Sequence, residues 1–444
     1  MMSDFDSPRG VPEFVVREIH PWRTKLIKKD GKLAKSPANI VTILREHPDW
    51  KDVLVYDMFA ERVVMTKPPP WDDLDKPLEH SPIWSDADTG RLQTWLFRHE
   101  RVEFGRDKCE TAILIAAEAR AVHPVREYLI SLEWDGVNRL ETMLCTYFGT
   151  LDTPYTRGVS LRWPISAVAR VMRPGCQADC TIVLEDPLQG AGKSTALEAL
   201  AGDGSGWFAD TSVEVGNKDS YQNLRGVWIY ELGELDSVRK AETTRVKNFL
   251  SARSDRYRPS FGRRAVDFKR QNIFAGTTNE THYLTDVENR RYWPVRVMKA
   301  MMLPELRRDR DQLWAEAYAR FARGEKWHVD NSDFHLLCKS EQSDRMATDP
   351  WEVPIMIWLK SPRTVSENAP FDLGAGATST DVLVHCLHKS FADIDRGDEM
   401  RVAYVLRKIG WTVHKRVMSQ GIRAYRYFTP ELFAQWVANN QADE

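Results

Sequence analysis

Cysteine is scarce in this chain, with six residues in 444. So few thiols in so long a chain cannot form a disulfide framework, which excludes the class of small secreted proteins that depend on one. Cys176 and Cys180 have a loose metal-ligand spacing, but the nearby sequence lacks a second Cys/His pair. The sequence therefore favours reduced, half-buried thiols over a metal site.

Long apolar runs are absent as well. The sequence has no apolar run of the roughly 18 residues that a membrane-spanning helix needs, and the acidic N-terminus has no signal-peptide core. We therefore expect a cytoplasmic protein with no membrane partner. The net charge of −2 identifies no partner, so a charged ligand must be inferred from local clusters of charge. A hydrophobic content of 42% is sufficient for a large core.

What the chain does have is a strand, a glycine loop and a helix between Cys180 and Ala201. The apolar run Ile182–Leu184 predicts a buried strand, and Thr195–Ala201 consists of good helix formers. Glycines between them allow the backbone to wrap around an anion, and the N-terminal amides of the helix point at that anion. This order of elements predicts a phosphate-binding loop.

The loop residues can be assigned roles in nucleotide binding. Lys193 is expected to reach the β- and γ-phosphates of ATP, and Ser194 is expected to ligate Mg²⁺. The predicted ATP-binding residues are Gln189, Gly190, Ala191, Gly192, Lys193, Ser194 and Thr195. Pro187 stands where the standard pattern has its first glycine. The alternative interpretation is a tight strand-to-helix turn with a solvated lysine.

A second strand is predicted at Val227–Tyr230, with Glu231 at its C-terminal end. Ligands of open α/β sheets bind at that end of the strands. Glu231 is therefore expected to hold Mg²⁺ through water, and Glu234, one turn later, is expected to polarise the attacking water. A solvated strand terminus is the alternative for Glu231.

A third strand, Asn272–Gly276, is followed by Asn279, a polar residue that could sense the γ-phosphate or position water. Arg290 and Arg291 precede another predicted strand. One of the two is a candidate arginine finger, which stabilises charge on the transferring phosphoryl group. A surface salt bridge is the alternative for either arginine.

Basic residues cluster at a predicted hairpin between the second and third strands. Residues 253–270 contain seven Lys/Arg and two Asp. Arg263 and Arg264 lie at the predicted turn and are candidates for contacts to the phosphates of single-stranded DNA. The alternatives are a solvated charged hairpin or salt bridges between subunits.

The C-terminal pattern predicts two helices and then a β-hairpin around Ser419–Gly421, an order typical of a winged helix. Ser379–Asp381 is expected to cap the first helix. Residues 401–427 contain seven Lys/Arg and no acidic residue. Arg423 and Arg426 are therefore predicted to contact duplex DNA, with docking of a protein as the alternative.

The patterning divides the whole chain into six segments, although its length alone predicts about two to four domains. Local patterns also predict a helix around Ile40–Leu44, strands at Val53–Tyr56 and Arg62–Met65, and helices at Pro164–Met172 and 304–322. The segments are a disordered tail (1–12), a small α/β region with a proline-rich linker (13–85), a helical region (86–175), a P-loop ATPase core (176–300), a second helical region (301–365) and a winged-helix-like domain (366–444).

A set of motifs follows in a fixed order along roughly residues 13–300. These motifs are His123–Leu129, Trp134–Leu140, Ser166–Arg170, Glu185–Thr195, Trp228–Leu235, Lys247–Arg258, Phe261–Arg263, Gly276–Asn279 and Asn289–Pro294. Together they resemble the virulence-associated protein E family of phage and mobile-element P-loop ATPases. That family is related to poxvirus-type primase–helicases and to superfamily 3 helicases.

The resemblance implies an α/β fold with an AAA+-like P-loop ATPase core of the superfamily 3 type. It implies a ring of copies of this chain, expected to be a hexamer, that uses ATP and Mg²⁺ on single-stranded and duplex DNA in a bacterial host cell. Carried over residue by residue, it assigns Lys193 and Ser194 to the phosphate loop and Glu231 to the acidic strand end. It assigns Asn279 to the sensor, and the arginine finger to Arg290 or Arg291.

Three functions remain open at this point. The first is an ATP-dependent DNA helicase or translocase for phage or mobile-element replication. The second is a DNA-stimulated ATPase that remodels or packages DNA without unwinding it, and the third is a nucleotide-stabilised origin-binding or regulatory protein. Residues 1–120 contain no paired-carboxylate pattern for primer synthesis. A separate primase or polymerase is therefore a candidate partner.

Overall fold

The computed structural model describes residues 21–71, 83–187, 190–212, 216–233, 243–258, 264–284, 290–329, 333–346, 349–360, 376–419 and 422–441. The fold is mixed α/β with a parallel sheet. The expected tail at 1–12 lies outside the described residues, as does most of the proline-rich linker. Across the described part of the chain, no helix combines the length and apolar character needed to cross a membrane.

The chain divides into two compact units. The first contains Met1–Leu184, Gly190–Thr277 and Arg296–Val329. The second contains Glu185–Gln189, Thr278–Val295 and Asp330–Glu444.

The N-terminal half of the first unit alternates short strands with helices. Its elements are a 3-10 helix (Pro21–Lys25), β1 (Lys28–Lys29), β2 (Lys32–Leu33), α1 (Pro37–Glu46), β3 (Leu54–Asp57), β4 (Arg62–Met65), α2 (Asp86–Glu100), α3 (Arg106–Glu118), β5 (Ala121–Val122), α4 (Pro124–Ser131), a 3-10 helix (Leu140–Thr142), α5 (Met143–Tyr147) and α6 (Pro154–Met172). The predicted helix around Ile40 and the two predicted strands are present as α1, β3 and β4.

Helix α6 starts ten residues earlier than the pattern predicted, at Pro154 rather than at Pro164. Thr153 caps the helix through a reciprocal box with Thr156, and Pro154 occupies the first turn, where its missing N–H costs nothing. Pro164 lies inside the helix. A proline in a helical pattern was therefore a poor marker of the helix start here.

One apolar core includes residues from both sides of the predicted boundary at residue 85. Trp50 packs in the same cluster as Leu92 of α2 and Ile113 of α3. Strand β3 pairs antiparallel with β4 and parallel with β5, which follows α3. Helices α2 and α3 thus share a core with α1 and β3, because burying their apolar faces requires the small sheet that precedes them.

The second half of the first unit contains the main sheet. Its elements are β6 (Thr181–Glu185), α7 (Lys193–Ala201), β7 (Phe208–Ala209), α8 (Lys218–Gln222), β8 (Ile229–Leu232), α9 (Thr243–Ser251), β9 (Ser254–Tyr257), β10 (Val266–Lys269), β11 (Ile273–Thr278) and α10 (Leu303–Ala322). Within this unit the strands run in the order β6-β11-β8-β7, and β8 is parallel to both β11 and β7. Every residue of β6, β8 and β11 is buried, as expected for strands covered on both faces.

Three tryptophans tie helices to this sheet and to each other through their indole N–H groups. Trp163 of α6 donates to the Phe274 carbonyl of β11 at 3.1 Å. Trp228, just before β8, donates to a carbonyl of α6 at 3.1 Å. Trp314 of α10 donates to the Leu200 carbonyl at the end of α7 at 2.9 Å. Each buried indole thus fixes the distance between two elements as well as filling space.

The basic segment between β8 and β11 forms the predicted hairpin. Strands β9 and β10 pair antiparallel, while the turn residues 259–263 lie outside the described residues. Just beyond β10, Arg270 forms two hydrogen bonds of 2.7 Å with the Asp255 carboxylate and also donates to the Phe249 carbonyl. This pair is buried, so two of the charged residues in the segment stabilise the fold and do not face a ligand.

The N-terminal core contacts the sheet of the same unit next to β8. The amide of Gly226 donates to the Phe59 carbonyl at 3.2 Å, and a side chain at position 226 would lie 2.9 Å from the Ala60 side chain. Arg225 stacks on Phe268 at 3.7 Å. A close approach of two backbones, which only glycine allows here, therefore joins the two halves of the first unit.

The second unit contains one strand followed by a helical and hairpin region. Its elements are β12 (Tyr292–Arg296), α11 (Asp333–Asp344), α12 (Glu352–Lys360), α13 (Ser379–Asp381), a π-helical turn (Val382–Cys386), a 3-10 helix (Phe391–Asp393), α14 (Arg396–Lys408), β13 (Thr412–Ser419), β14 (Ile422–Phe428) and α15 (Pro430–Gln441). Ile355, Val382, Val402 and Trp411 belong to its core.

The C-terminal pattern is present with two differences. The cap of α13 is Thr378, whose side chain accepts from the Asp381 amide in a reciprocal box, so the expected cap at Ser379–Asp381 was wrong by one residue. Strands β13 and β14 form the predicted hairpin, and α15 follows them without having been predicted. The identification of this region as a winged helix stays a prediction.

Replacing Arg270 tests the buried ion pair at the base of the β9–β10 hairpin. Arg270→Met is expected to reduce the free energy of unfolding by about 3–5 kcal/mol, because Asp255 would stay buried without a counter-charge. Arg256→Met is the matched control, since its contact to Asp267 is 3.9 Å long and exposed and is worth at most about 1 kcal/mol. Urea unfolding measures both, and equal losses would contradict a structural role specific to Arg270.

Candidate nucleotide site

The loop between β6 and α7 has the backbone conformation that the glycine pattern predicted. Gly190 and Gly192 have φ angles of 77° and 82°, in the left-handed region that other residues rarely adopt. Gly192 is the N-cap of α7, and the structure shows no side-chain hydrogen bond capping this helix. Since glycine has no side chain with which to cap them, the amides of the first turn lie beside the loop without a cap from Gly192, as an anion site requires.

The predicted loop residues fall at the start of α7. Lys193 is the first residue of the helix and is buried, whereas Ser194 and Thr195 are exposed in the same turn. Ala191 is half-buried, and Gln189 lies outside the described residues. The local order of strand, loop and helix is thus present, while the roles of these residues in binding ATP stay predictions.

Two hydroxyl groups from different elements converge on one carboxylate oxygen in the first unit. Ser194 Oγ donates to Glu231 Oε1 at 2.8 Å, and Thr277 Oγ1 donates to the same oxygen at 2.7 Å. Glu231 is 2% exposed and is the third residue of β8, so the strand begins and ends two residues later than predicted. The three side chains bring the loop helix, β8 and β11 to one point.

The register of the sheet explains why Thr277 reaches Glu231. Ala275 of β11 lies directly opposite Glu231 of β8. Side chains two residues apart in a strand share a face, so Thr277 lies on the same side as Ala275, further toward the carboxyl end. The sequence motif Gly276–Asn279 included Thr277 without assigning it a role. Knowledge of the strand register would have identified Thr277, because it lies two residues after Ala275, the residue opposite Glu231.

The second oxygen of Glu231 has the properties of a metal ligand. Oε2 is buried and accepts no hydrogen bond from any residue that the structure describes. A buried carboxylate oxygen without a donor is costly unless a cation or another partner approaches it. In the described ranges no group of three or more His, Cys, Asp or Glu side chains could hold a metal ion. A cation at Glu231 would thus depend on hydroxyl, water and ligand oxygens, which Mg²⁺ accepts.

The remaining predicted catalytic residues are spread over the second unit and the undescribed part of the chain. Asn279 follows β11, and Arg290 and Arg291 precede β12, all three in the second unit. Arg290 is exposed and Arg291 is half-buried. Glu234 lies outside the described residues. Their catalytic roles stay predictions.

Arg170, part of one of the resemblance motifs, is fully buried. It donates to the Ala178 carbonyl at 3.1 Å, just before β6. Desolvation by burial lowers the pKa of Arg170 to about 10. Arg170 therefore supports the strand that leads into the loop and is a structural residue rather than a ligand of the nucleotide.

The predicted DNA contacts differ in exposure. Arg264 is exposed just before β10, and Arg263 lies outside the described residues. Arg423 lies in β14, and Arg426 of the same strand is half-buried with its guanidinium donating to the Gly376 carbonyl at 3.0 Å. The DNA-binding roles of all four stay predictions.

Ion pairs reduce the positive charge of the C-terminal basic segment. Arg401 pairs with Asp349 at 2.9 Å, and Lys408 pairs with Glu352 at 2.6 Å. Two of the seven basic residues in 401–427 are therefore neutralised within the second unit. This leaves a weaker positive surface than the count of charges in the sequence indicated.

Comparison with known proteins identifies a family for the central part of the chain. Residues 129–347 match the model of the virulence-associated protein E-like domain. The resemblance inferred from the motifs is thus confirmed over that range, which begins later and ends later than the expected 13–300. No curated protein matches the sequence.

Among solved structures, two apo structures of the NrS-1 C-terminal region are similar to this chain. The structure of its residues 305–718 has 13% identity and a TM-score of 0.46, covering 85% of this chain and 95% of that chain. The A form has 13% identity and a TM-score of 0.43, covering 89% of this chain and 100% of that chain.

The hydrogen bond from Thr277 can be tested with a pair of substitutions. Thr277→Val removes the donor at nearly constant volume, so the free energy of unfolding is expected to fall by about 1.5–3 kcal/mol, the value of a hydrogen bond to a charged group. Thr277→Ser keeps the hydroxyl and removes one methyl group, which costs only about 1 kcal/mol. Thermal or urea unfolding distinguishes them; similar losses in both variants would show that the hydroxyl contributes little.

Proposed function

We propose that this chain, whose residues 129–347 match the virulence-associated protein E-like domain, is an ATP-dependent DNA helicase or translocase of phage or mobile-element replication. We propose that it acts as a ring of identical subunits, expected to be a hexamer, in the cytoplasm of a bacterial host. One observation carries the proposal: the hydroxyls of Ser194 and Thr277 converge on Glu231 beside a glycine loop that opens a helix.

The loop is proposed to bind the phosphates of ATP. The amides at the start of α7 would supply hydrogen-bond donors, and the positive end of the helix dipole favours an anion. Lys193, the first residue of that helix, adds a positive charge. The left-handed conformations of Gly190 and Gly192 support this assignment, since they let the backbone turn around a phosphate without a Cβ atom in the way.

Ser194 and Glu231 are proposed to hold Mg²⁺. The buried Oε2 of Glu231, which accepts no hydrogen bond from the described residues, fits this role. Mg²⁺ held there would neutralise the charge of the nucleotide phosphates. Thr277 positions the carboxylate by donating to Oε1, which leaves Oε2 for the metal ion.

We propose that residues further along the chain orient the attacking water and stabilise the transition state. Glu234 would polarise the water, and Asn279 would orient it or contact the γ-phosphate. Arg290 or Arg291 would act as the arginine finger from a neighbouring subunit; the exposure of Arg290 supports its availability to such a neighbour.

DNA is proposed to bind at two places. The β9–β10 hairpin would contact single-stranded DNA through Arg263 and Arg264, and the exposure of Arg264 and the buried ion pair at the hairpin base support this role. The C-terminal region would contact duplex DNA through Arg423 and Arg426. A separate primase or polymerase would supply the primers that this chain is not expected to make.

Substitution of Lys193 and Glu231 tests the nucleotide site. Lys193→Ala and Glu231→Gln are each expected to lower ATP turnover by about 10²–10³-fold, because each removes a charge that stabilises the transition state. Lys299→Ala removes an exposed lysine of the same unit and is expected to keep the wild-type rate. A steady-state phosphate-release assay measures all three, with thermal unfolding to show that the variants are folded.

The phosphate-release assay, together with assays of duplex unwinding and nucleotide binding, distinguishes the three candidate functions. Wild-type turnover in Lys193→Ala would refute the phosphate-loop assignment. ATP turnover that DNA stimulates without any strand separation in a duplex-unwinding assay would favour remodelling or packaging over a helicase. Nucleotide binding without turnover would favour the origin-binding or regulatory function.

A mixing experiment tests the ring. The double variant Arg290→Ala/Arg291→Ala and the variant Lys193→Ala are each expected to be inactive alone. In a ring with head-to-tail interfaces, equal mixing gives roughly a quarter of the interfaces an intact loop and an intact arginine, so turnover should return to that level. Turnover of the mixture is compared with each variant alone, and a fully active monomeric wild type would end the proposal.

A further inference from the structure

The N-terminal region of the first unit has a short β-hairpin made largely of lysine. Strand β1 consists of Lys28 and Lys29, and β2 begins with Lys32, which lies directly opposite Lys29. Asp30 and Gly31 form the tip with φ angles of 51° and 73°, the left-handed pair of a tight hairpin turn. We call residues 28–33 the lysine hairpin.

A buried asparagine holds the base of the lysine hairpin. The Asn39 side chain, which is 0% exposed, accepts a hydrogen bond from the Ile27 amide at 2.7 Å. Its amide group donates to the carbonyls of Ile27 and Ala34 at 2.9 and 2.8 Å. A fourth hydrogen bond, from the Ala34 amide to the Ile27 carbonyl at 2.9 Å, closes the two strands. The hairpin therefore leaves the core in a defined direction.

The lysine hairpin has a net charge of +2, from three lysines and Asp30. Lys28, Lys29 and Lys32 are exposed, and none of them forms an ion pair or hydrogen bond through its side chain with any residue in the described ranges. Residues just before the hairpin behave differently, since Arg23 pairs with Glu100 at 2.8 Å and Lys25 pairs with Glu46 at 2.7 Å. The fold thus neutralises the flanking charges and leaves those of the hairpin available.

The arrangement of Lys29 and Lys32 has an energetic consequence. Like charges directly opposite each other on one face of an antiparallel pair destabilise that pair. Lys35 follows the hairpin, and the ammonium of Lys108 donates to its carbonyl at 2.7 Å, which places a further positive charge two residues beyond the end of the hairpin. An anionic ligand would relieve this repulsion. It would therefore bind the opposed lysines more tightly than it would bind isolated ones.

We propose that the lysine hairpin binds the phosphate backbone of nucleic acid. Lysine binds phosphate as a compact, strongly hydrated point charge, and a nucleic-acid backbone presents a regular row of phosphates to the three exposed lysines of the hairpin. A membrane surface would require a second, apolar anchor, and the exposed Ile27 just before the hairpin is a single apolar residue, while Leu33 packs against the core. The proposal goes beyond the proposed function, since it requires neither ATP hydrolysis nor the basic segments at 253–270 and 401–427.

The salt dependence of binding tests this proposal on the full-length chain. In the triple variant Lys28→Gln/Lys29→Gln/Lys32→Gln, the log–log slope of affinity for a single-stranded oligonucleotide against salt is expected to flatten by up to about 2. For duplex DNA the expected change in slope is up to about 2.7, because each phosphate contact formed with a duplex releases more counterions than one formed with a single strand. Fluorescence anisotropy between low and moderate salt measures both slopes.

The matched control is Arg23→Gln/Lys25→Gln/Lys67→Gln, which also removes three positive charges from the N-terminal region. These residues are already paired with Glu100, Glu46 and Asp52, so the slope is expected to stay at the wild-type value. Urea unfolding shows that both triple variants are folded. Equal flattening in the two variants would overturn the proposal, because it would mean that only net charge matters.

Other outcomes also count against the proposal. An unchanged salt dependence in the lysine-hairpin variant would mean that the hairpin is solvated and contacts no phosphate. Unchanged DNA binding together with loss of binding to phosphatidylserine vesicles would assign the hairpin to a membrane surface. A wild-type chain that binds no nucleic acid at low salt would overturn both the hairpin proposal and the DNA part of the proposed function. The proposed nucleotide site would still be supported if Lys193→Ala lost ATP turnover.

Discussion

The position of one carboxylate constrains much of the first unit. Glu231 is buried in β8, and a buried carboxylate is tolerated only when donors surround it. Its two donors come from α7 and from β11. A shift of one residue between β8 and β11 would turn Thr277 to the opposite face and remove one of the two described donors to Oε1. The register of the central strands and the position of the loop helix are therefore linked through a single oxygen atom.

The same linkage explains the packing around the sheet. Helix α7 must keep Ser194 within reach of Glu231, and its far end is held by α10 through Trp314 and Arg310, which donate to carbonyls of its last turn at 2.9 to 3.0 Å. Helix α6 contacts β11 through the hydrogen bond from Trp163. The hydrogen bonds of large side chains thus set the positions of the elements, and the small polar side chains of the site depend on those positions.

Local features of the fold could be predicted from the sequence because their causes are local. The apolar run at Arg62–Met65 and the charged amphipathic pattern at 304–322 gave elements whose ends differ from the structure by a residue at most. The glycine loop was predictable for a similar reason. Positive φ angles at Gly190 and Gly192 need no information beyond the residues themselves.

Features that depend on distant partners could not be predicted in the same way. Thr277 acquires its contact with Glu231 only through strand register, and Arg270 is a basic residue that the fold pairs with Asp255. A count of positive charges in 253–270 could not separate Arg270 from the exposed Arg264. The core shared by Trp50 and Ile113 across residue 85 likewise requires knowing which apolar faces meet.

The wide separation of these partners along the chain also bears on how the protein is made. During synthesis the N-terminal part of a chain leaves the ribosome first, and it folds as far as its available contacts allow. Ser194 and Glu231 emerge well before Thr277, and α10, which covers α7, emerges later still. The first unit is completed only by Arg296–Val329, after part of the second unit has been synthesised. A nascent chain that ends before Thr277 therefore contains the glycine loop without the complete carboxylate site.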